Sequence, residues 1–187
     1  SKVVDENGEP LVVYHGTNKD FDAFSRSKAG TGAIRRVSEL AGKYVDVGLF
    51  FTPEPGAAEA YAYHAADVTG SNYAADNPDD FPGANIKPVY ISMQNPLYQD
   101  YDTVFDEGGL TALGNLDLEL KGYDGVIRTS EGRIVEIIPF SETQVKSSIG
   151  NTGAFSPTES SMRAQSLRNK KVGRVINSKN YKAVGRQ

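Results

Sequence analysis

A histidine and a glycine stand together at the end of an apolar run in residues 11–17, which read LVVYHGT. His15 is one of two histidines in the chain, and Gly16 follows it directly. A strand that ends on His-Gly presents a polar ring and a backbone without a side chain to the same space. This pair forms either the floor of a ligand pocket or simply a turn. The second histidine, His64, is interpreted as an ordinary surface or hydrogen-bonded residue.

A single carboxylate interrupts the apolar residues 134–140, which read IVEIIPF. Burying Glu136 in such a strand is costly unless the carboxylate has a partner, so this residue either points outward or has a chemical task. Strict alternation of side chains along the strand favours the outward orientation. The residues alone leave both interpretations open.

Aromatic side chains flank a helix signal in residues 48–62, which read GLFFTPEPGAAEAYA. Thr52 followed by Pro53 is typical of a helix start, and the spacing predicts a helix that continues to about residue 66. Tyr61 lies on one face of this predicted helix, and Phe50 precedes it by eleven residues. Two rings are thus expected near the start of one helix.

Together these stretches resemble one known family. The runs YHGT, FFT with a Tyr nine residues after its Thr, EIIPFSETQVKS and GNTGAF occur in the order found in ADP-ribosyltransferases. The chain resembles the branch with a His-Tyr-Glu triad, to which diphtheria toxin and the poly(ADP-ribose) polymerases belong. It is most similar to the transferase domains of phage and mobile-element polyvalent proteins. The resemblance covers roughly residues 3–157.

The resemblance implies NAD as the substrate and gives a role to each matching residue. His15 would hydrogen-bond the adenosine ribose, and the backbone of Gly16 would hold the nicotinamide amide. Thr17, next to them, would add a hydroxyl group. Tyr61 would stack on the nicotinamide ring.

Two positions depart from the family pattern. Phe50 stands where the triad tyrosine is found, which keeps a stacking surface and loses the hydroxyl. Ala58 stands where the polymerases carry a serine that binds the amide. In the segment that the family places over NAD, Arg35 or Arg36 would pair with the pyrophosphate, and a solvated helix face is the alternative interpretation.

Glu136 matches the catalytic glutamate, and the resemblance therefore reverses the outward orientation that alternation favours. Breaking the bond between nicotinamide and ribose builds positive charge on the anomeric carbon, which a carboxylate bound to the ribose 2′-hydroxyl stabilises. Ile134 replaces the second acidic residue of arginine-modifying toxins, which disfavours arginine as the acceptor. We expect the side chains of His15 and Glu136 to meet in one cleft lined by Phe50 and Tyr61.

The resulting hypothesis is a mono-ADP-ribosyltransferase that cleaves NAD, releases nicotinamide and transfers ADP-ribose to a macromolecule. The resemblance to phage and mobile-element domains implies that this macromolecule is a host protein. The first alternative is an NAD glycohydrolase toxin, which transfers ADP-ribose to water. The second is a degenerate domain that keeps the fold and only binds a partner. An RNA 2′-phosphotransferase is more remote, because the additional arginines of that family cannot be placed here.

The composition is that of a soluble globular protein, with 39% hydrophobic and 24% charged residues. No run of about 18 apolar residues predicts a membrane span, and the first ten residues lack a signal-peptide pattern. Cysteine is absent, which excludes disulfides and, with only two histidines, disfavours a zinc site. We therefore expect no metal, no membrane contact and a cytoplasmic location, in the bacterium or in a target cell.

Short apolar runs separated by helix signals predict an α+β fold, which the resemblance specifies as two packed, antiparallel-rich sheets with flanking helices. Strands are expected over residues 11–14, 48–52, 89–93, 123–128 and 134–140. Helices are expected over residues 34–44, 52–66 and 110–120.

Charge divides the chain into an acidic body and a basic end. Residues 158–187 carry eight Lys or Arg and one Glu, a net charge of +7, whereas residues 1–157 carry a net charge of -11. We predict an ADP-ribosyltransferase domain over residues 1–157 and a basic extension or linker over residues 158–187. Such an extension would contact nucleic acid or an acidic protein face, lie on the acidic body, or have no fixed structure.

Overall fold

A computed structural model describes residues 1–28, 48–67, 84–104, 112–149 and 162, and for 63–67, 104, 112 and 113 it describes the backbone alone. These residues form six strands: β1 (Val13–Thr17), β2 (Asn85–Ile91), β3 (Leu97–Asp100), β4 (Gly125–Ser130), β5 (Arg133–Pro139) and β6 (Val145–Ser147). They also form three α-helices: α1 (Pro55–Asp67), α2 (Tyr101–Val104) and α3 (Ala112–Leu120). Two short 3-10 helices span Arg26–Lys28 and Glu142–Gln144.

The strands form two sheets of three strands each. The first has the order β1-β2-β6, and both of its pairs are antiparallel. The second has the order β3-β4-β5, in which β3 and β4 are parallel and β4 and β5 antiparallel. This arrangement confirms the predicted α+β class with two mostly antiparallel sheets.

An extended segment, residues 50–52, joins the two sheets. Tyr14 of β1 and Thr52 exchange both backbone hydrogen bonds, and so do Phe51 and Ile137 of β5. Because neighbouring strands lie about 4.8 Å apart, only about 10 Å separates β1 from β5 across this segment. The strands that carry the two main candidate residues are therefore close together, although they are far apart in the sequence.

The main hydrophobic core contains side chains from both sheets and from the joining segment. Its fully buried members include Val13, Val89, Ile127, Ile137 and Phe51. Burying each such side chain contributes about 1.5–3 kcal/mol to folding, so this core supplies much of the force that holds the sheets together.

A second apolar cluster lies on the opposite face of β4 and β5. It contains Val126, Ile138 and Phe140, and Phe50 packs against it. Because successive side chains of a strand point to opposite faces, this cluster marks the face of β5 that Ile137 does not occupy.

The helix that follows the joining segment begins later than predicted, at Pro55 rather than at Pro53. The backbone of Thr52 is engaged with β1, so the chain stays extended there, and Thr52 Oγ1 accepts a hydrogen bond from the Glu54 N–H at 3.1 Å. The Glu54 carbonyl accepts the first helical bond, from Ala58 N–H at 3.2 Å. Pro55 thus takes the first helical position, where the missing N–H leaves no bond unmade.

The remaining predictions differ from the structure mainly at element ends. Four of the expected strands correspond to β1, β2, β4 and β5, and the expected third helix corresponds to α3. The run at residues 48–52 forms isolated bridges rather than a full strand, and the helix expected at residues 34–44 lies outside the described residues. Strands β3 and β6 are not predicted from the sequence, because each is short and carries polar residues.

One residue of the predicted basic extension belongs to the main core. Met162 is 8% exposed, and its N–H donates to the Asp22 carbonyl at 2.9 Å. The rest of the predicted extension lies outside the described residues, so its boundary stays a prediction. In the parts of the chain that the structure describes, no helix is both long and apolar enough to cross a membrane.

Candidate active site

The pairing between β1 and the joining segment stops beside Gly16. A regular antiparallel ladder would follow the Tyr14–Thr52 pair with a bonded pair between Gly16 and Phe50. Instead, the Phe50 carbonyl accepts a hydrogen bond from the ring Nδ1 of His15 at 2.8 Å. The N–H and C=O of Gly16 point to the same side of the strand as those of Tyr14. They therefore face the joining segment at Phe50.

His15 is held as a neutral ring among aromatic side chains. Its ring lies 5.0 Å from the Phe24 ring and 5.4 Å from the Phe51 ring, measured between centroids. Burial lowers the pKa of His15, the hydrogen bond to Phe50 acts in the opposite direction, and the charge of Lys87 lowers the pKa further. Since a carbonyl can only accept, Nδ1 carries the proton and Nε2 keeps a lone pair that can accept a hydroxyl hydrogen.

We expect the neutral His15 ring to make folding stability depend on pH. As pH falls below about 6.5, the unfolded chain binds a proton at His15 before the folded chain does. The free energy of unfolding therefore falls until the pH passes the lowered pKa of the folded state, by at most about 1.4 kcal/mol per pH unit. His15→Asn keeps a donor near the Nδ1 position and does not titrate. Urea unfolding at several pH values should show the wild type losing stability relative to this variant between pH 7 and the lowered pKa. A difference that stays constant down to pH 5 would contradict the neutral ring.

Gly16 allows helix α1 to approach β1 closely. A Cβ atom at this position would lie 1.8 Å from the carbonyl oxygen of Ala58 and 2.7 Å from the amide nitrogen of Ala62. Both alanines are 1% exposed and form the face of α1 that packs on the sheet. The glycine is thus required by the packing of helix on strand, in addition to any role toward a ligand.

Gly16→Ala should destabilise the fold, because the atoms it would meet are backbone atoms that cannot move aside. We expect a loss of about 1–3 kcal/mol, as for other overpacked sites. Gly56→Ala is the matched control: its Cβ would meet nothing within 4 Å, and alanine is the better helix former by about 1 kcal/mol. Thermal unfolding should lower the melting temperature for the first variant and leave it equal or higher for the second. Equal stability of the two variants would contradict the close approach.

Glu136 is buried and paired. Its Oε2 accepts a hydrogen bond from Arg128 Nη1 at 2.7 Å, and Arg128 is fully buried. The outward orientation favoured by strict alternation is therefore wrong, because the face of β5 opposite the main core is itself covered, by the second apolar cluster and by Arg128. A β-bulge lies directly before Glu136. Arg128 pairs with Glu136 but the next pair is Thr129 with Ile134, so Val135 is an extra residue in β5. Because a bulge shifts the alternation, Ile134 packs against the main core and Glu136 points to the other face.

The candidate residues divide between the two faces of the joined strands. Phe50 packs against the apolar cluster that contains Ile138, and Ile138 is two residues from Glu136 on β5, so Phe50 and Glu136 lie on one face. The His15 ring contacts Phe51 and lies on the core face, and it reaches Phe50 through the carbonyl bond. His15 and Glu136 are thus near one another in the backbone, whereas their side chains leave it on different faces. The structure therefore does not bring these two side chains together in one cleft, as the sequence analysis expects.

The other predicted site residues are placed as follows. Tyr61 lies on α1 and is 40% exposed. Thr17 is buried, and its Oγ1 accepts a hydrogen bond from Lys19 N–H at 3.1 Å. Arg35 and Arg36 lie outside the described residues. The roles that the resemblance implies for these residues stay predictions.

Arg128 is not among the site residues that were predicted from the sequence. The turn Glu131-Gly132, with positive φ angles of 50° and 75°, closes a hairpin in which Ser130 lies opposite Arg133. Regular pairing from this turn would put Arg128 opposite Val135. The bulge moves the pairing by one residue, and no feature of the sequence indicates that shift.

Among the described side chains, no group of three or more His, Asp or Glu residues is arranged to hold a metal ion. A search of curated proteins and a search of solved structures each gave no match to this chain. A family model, described as ADP-ribosyltransferase in polyvalent proteins, matches residues 5–155 and so covers every strand and helix of the structure. This chain therefore belongs to the family of ADP-ribosyltransferases in polyvalent proteins.

Proposed function

We propose that the chain is a mono-ADP-ribosyltransferase that cleaves NAD, releases nicotinamide and transfers ADP-ribose to a macromolecular acceptor. The family membership supports ADP-ribosyl transfer in general. We further propose that the domain comes from a phage or mobile-element protein and modifies a host protein, as an effector or toxin.

The observation that carries this proposal is the interrupted pairing beside Gly16. Beyond the Tyr14–Thr52 pair, regular strand geometry directs the N–H and C=O of Gly16 toward the chain at Phe50, whose carbonyl is bonded by His15. A carboxamide has one acceptor and a pair of donors, so it can bond to both groups of one residue at once. The nicotinamide amide is such a group, and the Phe50 ring beside it offers an apolar surface for the pyridine ring.

Glu136 supplies the charge that the reaction needs. As the glycosidic bond breaks, positive charge develops on the ribose, and a carboxylate that bonds the 2′-hydroxyl stabilises this state more than the ground state. Nicotinamide leaves as a neutral molecule, so no strong general acid is required. Phe50 and Glu136 lie on one face of the strands, which supports their action on one ligand.

The surroundings of Ile134 favour acceptors other than arginine. Arginine-modifying toxins place a second acidic residue two positions before the catalytic glutamate. In this chain the side chain at that position is apolar and packs against the main core. We therefore propose a carboxylate, a hydroxyl or a nucleic-acid group as the acceptor.

Labelled NAD tests this function. The chain is mixed with NAD labelled in its adenylate part and with a bacterial lysate, and the macromolecules are then separated. We expect the label to become attached to a macromolecule in a form that resists denaturation. Glu136→Gln serves as the inactive control.

The alternatives give different outcomes in the same experiment. Rapid conversion of NAD alone to free ADP-ribose, with no attached label, would indicate a glycohydrolase. No conversion, together with no rise of the melting temperature when NAD is added, would indicate a domain that does not bind NAD, because a ligand of the folded state raises that temperature.

A further inference from the structure

We propose that Arg128 is a positioning residue for Glu136: it holds the carboxylate ionised and in one orientation for the reaction. The inference rests on the proposed function, because it concerns the same carboxylate. It adds a residue that the family resemblance does not indicate.

The ion pair is oriented with its acidic end toward the accessible side. The side chain of Arg128 is 0% exposed, whereas that of Glu136 is 11% exposed. A ligand can therefore approach the carboxylate and cannot approach the guanidinium. Burial to this degree disfavours a charged carboxylate, and a cation 2.7 Å away offsets that effect.

A second contact fixes the guanidinium itself. Arg128 Nε donates to Gln99 Oε1 at 3.3 Å, and Gln99 lies opposite Arg128 in the parallel pairing of β3 with β4. The planar guanidinium is thus held from the β3 side by an amide and from the β5 side by a carboxylate. The N–H donors of a guanidinium have fixed directions. A guanidinium held by Gln99 therefore holds the carboxylate of Glu136 in one orientation.

A contribution to folding stability does not by itself explain the buried Arg128–Glu136 ion pair. A buried ion pair contributes little net stability compared with apolar side chains of similar size, whereas the loss of one partner is strongly destabilising. The bulge at Val135 turns Glu136 toward Arg128 and away from the main core. Bulges of this kind often aim a side chain at a functional site.

The test measures nicotinamide release from NAD with the full chain and separates kcat from KM. Arg128→Met removes the charge and keeps a long side chain. We expect kcat to fall about 10- to 100-fold, by analogy with metal enzymes in which a hydrogen-bond partner of a metal ligand is removed. KM for NAD should stay within about threefold, since the lost interaction acts on the transition state. Arg128→Lys should recover at least about fivefold of the lost kcat, because Lys still offers one charged donor.

The matched control is an exposed pair of the same chemistry. Arg26 and Glu119 form an ion pair whose side chains are 45% and 28% exposed. Arg26→Met should leave both kcat and KM unchanged. This variant removes the same charge from the chain as Arg128→Met does, so it isolates the effect of position.

A double variant covers the case in which Arg128→Met folds poorly. Arg128→Met with Glu136→Gln leaves no buried charge without its partner and should fold. If Arg128 acts only through Glu136, this double variant has the same residual kcat as Glu136→Gln alone. A further tenfold loss would overturn the inference.

Two results separate this inference from the proposed function. An active wild type with an unchanged kcat in folded Arg128→Met overturns the role of Arg128 and leaves the proposed function standing. A wild type and an Arg26→Met variant that both release no nicotinamide, alone or with lysate, overturn the proposed function and the role of Arg128 with it.

Discussion

Glu136→Gln should lower kcat for nicotinamide release by about 10²–10³-fold, by analogy with the loss of one group that stabilises a transition-state charge. The amide keeps the shape of the side chain and can still accept a hydrogen bond from Arg128, but it carries no charge to oppose the developing charge on the ribose. NAD binding should change little, because the substrate lacks that developing charge. Stopped assays of released nicotinamide and calorimetric titration of NAD measure the two effects separately.

The control for this prediction is Glu119→Gln, which removes the acid of the exposed pair with Arg26. We expect wild-type turnover from this variant. Wild-type turnover from folded Glu136→Gln would remove Glu136 from the mechanism. A loss of NAD binding together with turnover would show that the carboxylate binds the substrate instead of stabilising the transition state.

Phe51→Ala should produce a large loss of stability. Phe51 is 1% exposed, its backbone exchanges both hydrogen bonds with Ile137, and its ring packs 5.4 Å from His15 and 5.1 Å from Phe24. Removing a buried phenyl group costs about 3–5 kcal/mol, because transfer free energy is lost and a cavity remains. For a chain of this length, the melting temperature should fall by roughly 6–20 °C.

Two further variants define the cause of that loss. Phe51→Leu keeps most of the volume and should lose clearly less stability than Phe51→Ala. Leu120→Ala changes a side chain that is 80% exposed and should have almost no effect. An Ala variant at position 51 that loses less than about 1 kcal/mol would show that this ring does not hold the two sheets together.

Much of the fold can be predicted from the sequence because the strands at the centre of the core are also its most apolar segments. Residues around Val13, Val89 and Ile137 form the expected strands, and all three side chains are fully buried. The same reasoning cannot find β3 or β6, whose sequences LYQD and VKS are short and polar. Those strands exist because a neighbouring strand offers open hydrogen-bonding groups, which is a property of the assembled sheet.

The helix start shows a similar limit. Thr52-Pro53 has the local features of a helix start, yet the backbone of Thr52 pairs with Tyr14 from a distant part of the chain. That tertiary pairing keeps the chain extended and moves the first helical residue to Pro55. A local signal was thus overridden by a contact that local reasoning does not include.

The family resemblance predicts most residues of the candidate site, whereas the arrangement of their side chains could not be predicted from the sequence. The order of short motifs identifies His15, Gly16, Phe50, Tyr61 and Glu136 through the family resemblance. The one-residue bulge at Val135 puts Glu136 opposite Arg128 and on the other face of β5 from Ile134, which no pattern in residues 134–140 indicates. For the same reason the sequence gives no sign that Arg128 lies beside the carboxylate.

Doubly labelled NAD tests the central claim most directly. With one label in nicotinamide and another in the adenylate part, the wild-type chain and a bacterial lysate should release one nicotinamide for each ADP-ribose that becomes attached to a macromolecule. Glu136→Gln should suppress both signals together. Nicotinamide release with all of the adenylate label in free ADP-ribose, or no release of nicotinamide at all, would contradict transfer by this site.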